Sequence, residues 1–464
     1  MNLELGYVDK MTSSTSSTPS QEGHFKSFDD FQQIFRPVQY LGSKLRALNA
    51  LMSATDHLYS KGDRVFDIFS GSSVVSQAFA HNGARVTSID AQVFCQHLAG
   101  AMLGSGRELG EVSHPMAKQI ASEWDQIQLP KELSLMIEIE NSAIAAGPGL
   151  QLADFYSHIP QIWRRGSGPE WFAQATQYIG QLGFNKIPII ATHYAGTYFG
   201  LRQALFFDFA RSRINSLLND REINQWTHHA LLASLYSAMS QSVYSAGKHF
   251  AQPFAKANKQ NQDFHYARMY SDRSVNVMDV FAKAAKRIDI SSVYMGVENY
   301  AYAKPVESAY NIIHTAKPSL IYADPPYTAQ QYSRFYHVLE VAATYTVPRL
   351  QLINGKVTAG LYGEARYKSR YSSRTQAPKA FDELVGVARK SGASLALSYS
   401  SSTKDSVGNQ RMISLPNLTK ICTRHYGNES VSIIELGHSY RQFNSASLNN
   451  LNRDDPEILL ICEA

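Results

Sequence analysis

Arg64-Val65-Phe66-Asp67-Ile68-Phe69-Ser70-Gly71-Ser72-Ser73-Val74-Val75-Ser76-Gln77-Ala78-Phe79-Ala80-His81-Asn82-Gly83-Ala84-Arg85-Val86-Thr87-Ser88-Ile89-Asp90 is the stretch on which the fold turns. The apolar run Arg64–Phe69 predicts a strand, Gly71–His81 a helix, Gly83 its stop, and Ala84–Ile89 a second strand. Strand, loop, helix, turn and strand in that order make a βαβ unit. In an open parallel sheet the ligand crevice lies at the C-terminal ends of the strands. Gly71 would let the backbone approach a ligand closely, and the helix that follows presents free N–H groups. Asp90 ends the second strand, where a carboxylate suits a grip on ribose hydroxyls. The turn lacks the Gly-x-Gly-x-x-Gly that cradles a pyrophosphate, so a nucleoside with a small charged tail fits better than a dinucleotide. The plain alternative is an N-capping serine and an exposed strand-end aspartate.

Upstream, Tyr40-Leu41-Gly42-Ser43-Lys44 reads as a tight turn that offers an aromatic wall and a cation able to pair with a ligand carboxylate. Leu45 to Tyr59 has helical spacing, broken at Lys61-Gly62-Asp63. Downstream, 101–310 is largely helical, with Trp226 to Phe250 the clearest amphipathic stretch. The α/β rhythm returns with the strands Leu320–Ala323 and Ser394–Tyr399. Val431–Leu436 and Ile458–Cys462 then alternate as antiparallel strands at one sheet edge. The expected organisation is a polar tail over 1–28, an α/β domain formed by 29–100 and 311–464, and an insertion over 101–310 too long for a loop.

Asp324-Pro325-Pro326-Tyr327 stands at the end of the Leu320–Ala323 strand. Two prolines remove two backbone donors and fix φ, so nearby carbonyls point where the chain dictates. A carboxylate, a stiff turn and an aromatic ring can together bind and sandwich a flat amino-bearing ring. A proline-stiffened turn without function is the alternative.

The 464 residues are 44% hydrophobic and 18% charged, an ordinary globular composition. Twenty-six tyrosines and 22 phenylalanines exceed what a core requires, and aromatics also serve as stacking platforms for unpaired bases. A net charge of +5 permits a polyanionic partner without demanding one. Three scattered cysteines, Cys95, Cys422 and Cys462, exclude a disulfide scaffold and a cysteine-rich zinc site, and no metal is expected. No apolar run reaches membrane-spanning length, and the N-terminus lacks a basic start with an apolar stretch behind it. A cytoplasmic protein with no membrane partner is the expectation.

In combination these residues resemble the adenine-specific, amino-methylating DNA methyltransferases in the class-alpha motif order. Tyr40-Leu-Gly42-Ser43-Lys44 looks like the N-terminal cofactor motif, Asp67-Ile-Phe69-Ser-Gly71-Ser72 like Asp-x-Phe-x-Gly, Ser88-Ile-Asp90 like the ribose motif. Asp324-Pro325-Pro326-Tyr327 looks like the catalytic motif. Gln330-Gln331-Tyr332…Tyr336-His337-Val-Leu-Glu340, Ser394–Ser400 and Tyr194-Ala-Gly-Thr-Tyr-Phe199 resemble motifs of one subgroup. The resemblance implies a Rossmann-like S-adenosylmethionine-dependent methyltransferase sheet with a target-recognition insertion. It implies S-adenosylmethionine as cofactor, double-stranded DNA as partner, and transfer to N6 of a flipped adenine. Asp324 and the Pro325 carbonyl would accept the amino hydrogens, and Tyr327 would stack on the base. For the residue touching the cofactor's adenine, the segments 296–300 and 277–280 are both candidates.

From Lys356 to Lys379 the chain carries Arg366, Lys368, Arg370 and Arg374 with interleaved tyrosines, the pattern of a phosphate-binding loop. Lys248, Lys256, Lys259 and Arg268 are a second candidate surface in the insertion. No Pro-Cys pair is present, so a cytosine-carbon methylase is not expected and Cys95 is no nucleophile. Cytosine-N4 methylation, an RNA target and a nucleic-acid-binding protein without turnover stay open as alternatives. No nuclease cluster or Walker loop is visible, so in a restriction system cutting falls to a separate endonuclease chain; a solitary or phage-borne methylase is equally open.

Overall fold

The computed structural model describes residues 33–159, 161, 188–254, 261–292, 298–400, 410–439 and 456–464. The tail over 1–28 and Lys256 and Lys259 lie outside the described residues. The sheet contains β1 (Arg64–Asp67), β2 (Arg85–Asp90), β3 (Tyr300–Ala303), β4 (Leu320–Ala323), β7 (Ser394–Ser400), β8 (Val431–Ser439) and β9 (Pro456–Cys462). A separate two-stranded ribbon is formed by β5 (Leu352–Ile353) and β6 (Lys356–Val357).

The strand order is β3-β2-β1-β4-β7-β9-β8. Pairing is parallel from β3 through β7 and antiparallel at β7/β9 and β9/β8. This is a Rossmann-like α/β sheet with its antiparallel strands at one end, as expected from the alternating 431–436 and 458–462 segments. Chain order reverses between β1 and β4, and a sheet opens its ligand crevice at such a switch point.

Period-two alternation separates the two faces. Leu320, Tyr322 and Ala396 face a core layer with Leu51, Phe79 and Ile461, while Ile321, Ala323 and Leu397 face another with Phe381, Leu384 and Leu418. β4 and β7 are buried along their whole length, as central parallel strands must be.

Gln225–Ser242 is the central helix of the region, packed chiefly against Val277–Ser291, Val93–Met102 and Leu201–Asn219. Trp226 to Phe250 was expected to be amphipathic, but the helix ends at Ser242 and is buried all round, Gln225 and Gln241 excepted. Small residues at Ala230, Ser234 and Ala238 let a neighbour approach one face closely, while large apolar residues such as Leu232, Leu235 and Met239 are buried on the other, a pattern that hydrophobic periodicity does not signal. Its core continues into Phe94, Leu98, Val338 and Leu339 beside the sheet, so the helical region shares one core with the strand-flanking helices. β3 lies within the range read as insertion, and the sheet therefore resumes before residue 310. This strand is four residues long, at an edge and only half-buried, so it has no apolar run to betray it. No helix among the described residues is long and apolar enough to cross a membrane.

Candidate active site

Strand β1 ends at Asp67, and the helix expected from Gly71 begins only at Val74. The turn between them consumes the difference: Gly71 has φ +48° and Ser73 φ +60°, both left-handed. A Cβ on Gly71 would stand 2.6 Å from Cε1 of the Tyr40 ring, so only glycine lets that ring close against the turn. The Gly71 N–H donates to Asp90 Oδ2 (3.0 Å) and the Gln92 N–H to Oδ1 (3.0 Å). Two backbone amides thus aim the Asp90 carboxylate, and burial raises its pKa against their pull.

The turn at 40–44 closes with the Ser43 N–H donating to the Tyr40 carbonyl (3.3 Å). Tyr40 stacks on Tyr336, centroids 4.6 Å apart and 5° from parallel, and more loosely on Tyr332 at 5.8 Å. The Leu41 N–H donates to the Tyr336 hydroxyl (2.6 Å). Glu340, on the same segment, accepts from the Val93 and Phe94 N–H groups (3.0 and 3.2 Å) and caps the helix after β2. The residues after the Asp-Pro-Pro-Tyr run therefore fasten the first half of the sheet to the second. His337 is buried among Tyr194, Tyr198 and Tyr362, and its Nε2 lies 3.0 Å from the Phe250 carbonyl. Burial pushes this imidazole down to about 3, so it is neutral; its Nδ1 is buried with no hydrogen-bond partner among the described residues.

Beyond β4, Asp324 meets the Lys44 ammonium: Nζ lies 2.8 Å from Oδ2. Lys44 also donates to the Tyr327 hydroxyl (3.1 Å) and to Glu457 Oε1 on β9 (3.4 Å), and the Tyr327 hydroxyl donates to Asp324 Oδ1 (3.4 Å). Burial opposes the charge on Lys44, but Asp324, Tyr327 and Glu457 hold its pKa well above the usual lysine value. Burial raises the pKa of Asp324 above the usual carboxylate range although Lys44 pulls it down. Sequence reading aimed Lys44 at a ligand carboxylate; in the structure it braces the carboxylate that ends β4. Glu457 escaped notice because its partner is 413 residues away in sequence.

One pocket joins these parts. Among the candidates read from sequence, Tyr40, Gly42, Phe69, Asp90, Asp324 and Pro326 line it. Ser43, Lys44, Asp67, Gly71, Pro325 and Tyr327 stand behind its wall. The Tyr327 ring packs edge-on against Tyr399 at 5.4 Å. The opposite wall comes from Gln331, Tyr332, Ser333, Tyr367 and Ser369, of which the sequence suggested Tyr332 alone as a lining. Hydrogen bonds lace this wall: Ser369 N–H to Gln331 Oε1 (2.8 Å) and Ser333 Oγ to the Tyr367 carbonyl (2.6 Å). The lining holds two carboxylates and no lysine or arginine, which suits a ligand carrying positive charge.

Asp67 supports the floor from below. Ser76 Oγ donates to its Oδ2 (2.6 Å), while Oδ1 is buried with no hydrogen-bond partner among the described residues. Burial pushes its pKa up to about 7; Ser76 opposes the shift, and Asp324 and Asp90 add to it. With the folded value above the unfolded one, the folded state holds the proton more tightly. Stability should therefore fall as pH rises from about 4 to 7, because the ionised carboxylate costs folding free energy. Asp67→Asn removes that loss. Its stability relative to wild type is expected to improve by about 2–4 kcal/mol between pH 4.5 and 8 in urea melts. An unchanged gap would show that Asp67 ionises normally.

Among the described residues, those of the two segments proposed to touch the cofactor's adenine do not line the pocket. Asn299 is buried, accepting from Val86 N–H (2.8 Å) and donating to the Leu103 carbonyl (3.1 Å), and Asp279 is exposed on the first turn of Val277–Ser291. Residues 296 and 297 lie outside the described residues. Of the basic candidates, Arg370 is ion-paired with Glu383 (2.7 Å) and Glu307 (3.7 Å), and Arg374 bonds Gln410. Arg366 donates to Gln351 Oε1 (2.8 Å), and Lys368 is exposed. Lys248 and Arg268 both pair with Asp272.

Residues 282–373 match the family of D12 class N6 adenine-specific DNA methyltransferases. The chain is 27% identical over 188 residues to the type II methyltransferase M.FokI of Planomicrobium okeanokoites, covering 40% of this chain and 25% of that protein. It is 23% identical over 278 residues to the modification methylase StsI of Streptococcus sanguinis, covering 60% and 36%. With the type II methyltransferase M.NlaIII of Neisseria lactamica it shares 23% identity over 380 residues, 81% of this chain and 87% of the other. The chain thus spans a quarter to about a third of the first two relatives and most of the third. Sheet and family match agree, and the chain is similar over 282–373 to the D12 class N6 adenine-specific DNA methyltransferases.

Proposed function

We propose that this protein transfers a methyl group from S-adenosylmethionine to the exocyclic N6 of an adenine flipped out of double-stranded DNA. The observation that carries the reading is the single pocket in which Asp90 and Tyr40 share walls with Asp324 and Pro326. S-adenosylmethionine is a cation at sulfur, and an acidic, aromatic lining without basic residues fits it. When bound, it supplies an electrophilic methyl group. Asp90 would hold the ribose, with Tyr40, Phe69 and Gly42 around the nucleoside.

The remaining chemistry belongs to the chain. An adenine amino group is a weak nucleophile because its lone pair is delocalised into the ring. Asp324 and the Pro325 carbonyl accept its two N–H bonds and draw the nitrogen toward tetrahedral geometry. The lone pair is then free for in-line attack, and one amino proton leaves after transfer. Lys44 and Tyr327 fix the Asp324 carboxylate in place before substrate arrives, so orientation and preorganised charge do the work. Extruding the base costs a few kcal/mol, recovered by stacking and hydrogen bonding in the pocket.

The proposed division of labour gives base and cofactor chemistry to the sheet and target recognition to the helical region. The relatives' names suggest a restriction-modification setting, with a separate endonuclease as partner. The deciding experiment offers tritiated methyl donor with unmethylated DNA and, in parallel, with RNA. Label in DNA supports the proposal; label in RNA alone replaces its substrate, and none in either with the donor bound favours a binding protein.

A further inference from the structure

Part of the pocket's wall comes from 331–333 and from Tyr367 and Ser369, and an arginine stands beside both Ser333 and Tyr367 in the sequence. Arg334 follows Ser333, and Arg366 precedes Tyr367. Ser333 and Tyr367 both line the pocket and are bonded to each other (2.6 Å), so the two arginines belong to one stretch of rim. Their guanidinium carbons lie 4.8 and 5.5 Å from the centroid of one ring, that of Tyr362. Arg334 donates to the Tyr362 hydroxyl (3.3 Å), and Arg366 donates to Gln351 Oε1 (2.8 Å) and the Gly363 carbonyl (3.1 Å).

Neither arginine has a carboxylate within 4 Å among the described residues. Arg366 Nε is buried without a hydrogen-bond partner. The contrast with the rest of the segment is sharp: Arg349 pairs with Glu364, Arg370 with Glu383, Lys379 with Glu383. Two cations gathered on one ring repel each other, and the aromatic face offsets that only in part. Arg366 registers the repulsion, its pKa lowered first by burial and then by Arg334. An anion supplied from outside would relieve it.

We propose that Arg334 and Arg366, seated on Tyr362, grip the DNA phosphodiester backbone beside the nucleotide whose base enters the pocket. This rests on the reading of function above and refines it, separating the arginines that meet phosphate from those that serve the fold. Guanidinium forks match phosphate oxygens in pairs, and a contact adjacent to the extruded base would hold the backbone in its rotated form.

The test measures DNA affinity against salt for wild type, Arg334→Gln, Arg366→Gln, the double variant and Arg370→Gln, with methyl-donor affinity and thermal melting in parallel. Each single change in the clamp is expected to weaken DNA binding about tenfold at moderate salt and to flatten the log–log salt slope by about one, the double change by about two. Donor affinity should stay at the wild-type value. Arg370→Gln should lower the melting temperature and leave the salt slope alone. Wild type that methylates DNA, with clamp variants keeping the full slope, would overturn the clamp and spare the function. Wild type that neither binds nor methylates DNA would overturn both.

Discussion

Asp324→Ala is expected to reduce methyl transfer at least a thousandfold, about 4 kcal/mol of transition-state stabilisation, without loss of methyl-donor binding. The magnitude follows from the role proposed for the carboxylate, that of charged acceptor for an amino hydrogen that becomes acidic only as the new N–C bond forms. It is also the group that Lys44 braces at 2.8 Å, so removal leaves a buried ammonium with Glu457 Oε1 at 3.4 Å as its remaining carboxylate. Asp324→Asn keeps the shape and one acceptor but not the charge, and should retain a small residual rate. The pH dependence has a definite sign. Burial lifts the Asp324 pKa, and the proposed mechanism needs the ionised form, so the rate is expected to fall as pH drops through the raised value. Single-turnover transfer across pH, beside calorimetry of donor binding, checks both statements.

Gly71→Ala should act on the other half of the pocket. The added Cβ would meet three atoms of the Tyr40 ring between 2.6 and 3.0 Å, on a backbone held at φ +48°. Tyr40 is itself pinned between the Tyr336 ring and the turn, so it has little room to yield. Its displacement would open the wall between Asp90 and Phe69 and disturb the Gly71 N–H that aims Asp90. Donor affinity is expected to fall at least tenfold, about 1.4 kcal/mol or more. Gly427→Ala is the control: it too has positive φ, but nothing lies within 4 Å of the new Cβ. It should cost stability alone. Equal donor affinity in Gly71→Ala and wild type would mean that the nucleoside does not bind at the first βα turn.

Much of this was legible before any coordinates, and the reasons are local. The βαβ unit from Arg64 to Asp90 announces itself because strand, turn glycine and helix follow one another within 27 residues. Asp324-Pro325-Pro326-Tyr327 is legible because prolines and a carboxylate after a buried strand have few other uses. Of the final strands, Val431–Leu436 mixes polar and apolar residues as the edge strand β8, while Ile458–Cys462 is an unbroken apolar run that suits β9, buried between β7 and β8. What stayed hidden depends on distance in the chain. The Lys44–Glu457 contact joins the two ends of the described protein, and nothing near either residue hints at it. The far wall of the pocket is held by hydrogen bonds between 331–333 and 367–369, whose side chains are ordinary loop polars. Among the basic residues of 356–379, composition could not separate Arg370, which is spent on Glu383, from Arg366, which has no carboxylate partner among the described residues.

The central claim is that this pocket presents an adenine amino group, and the nature of the product tests it most directly. Unmethylated DNA treated with wild-type protein and S-adenosylmethionine would be digested to nucleosides and analysed by mass spectrometry. N6-methyladenine, absent when Asp324→Ala is used, is the expected result; N4-methylcytosine, or N6-methyladenine made equally well by the variant, would contradict the account.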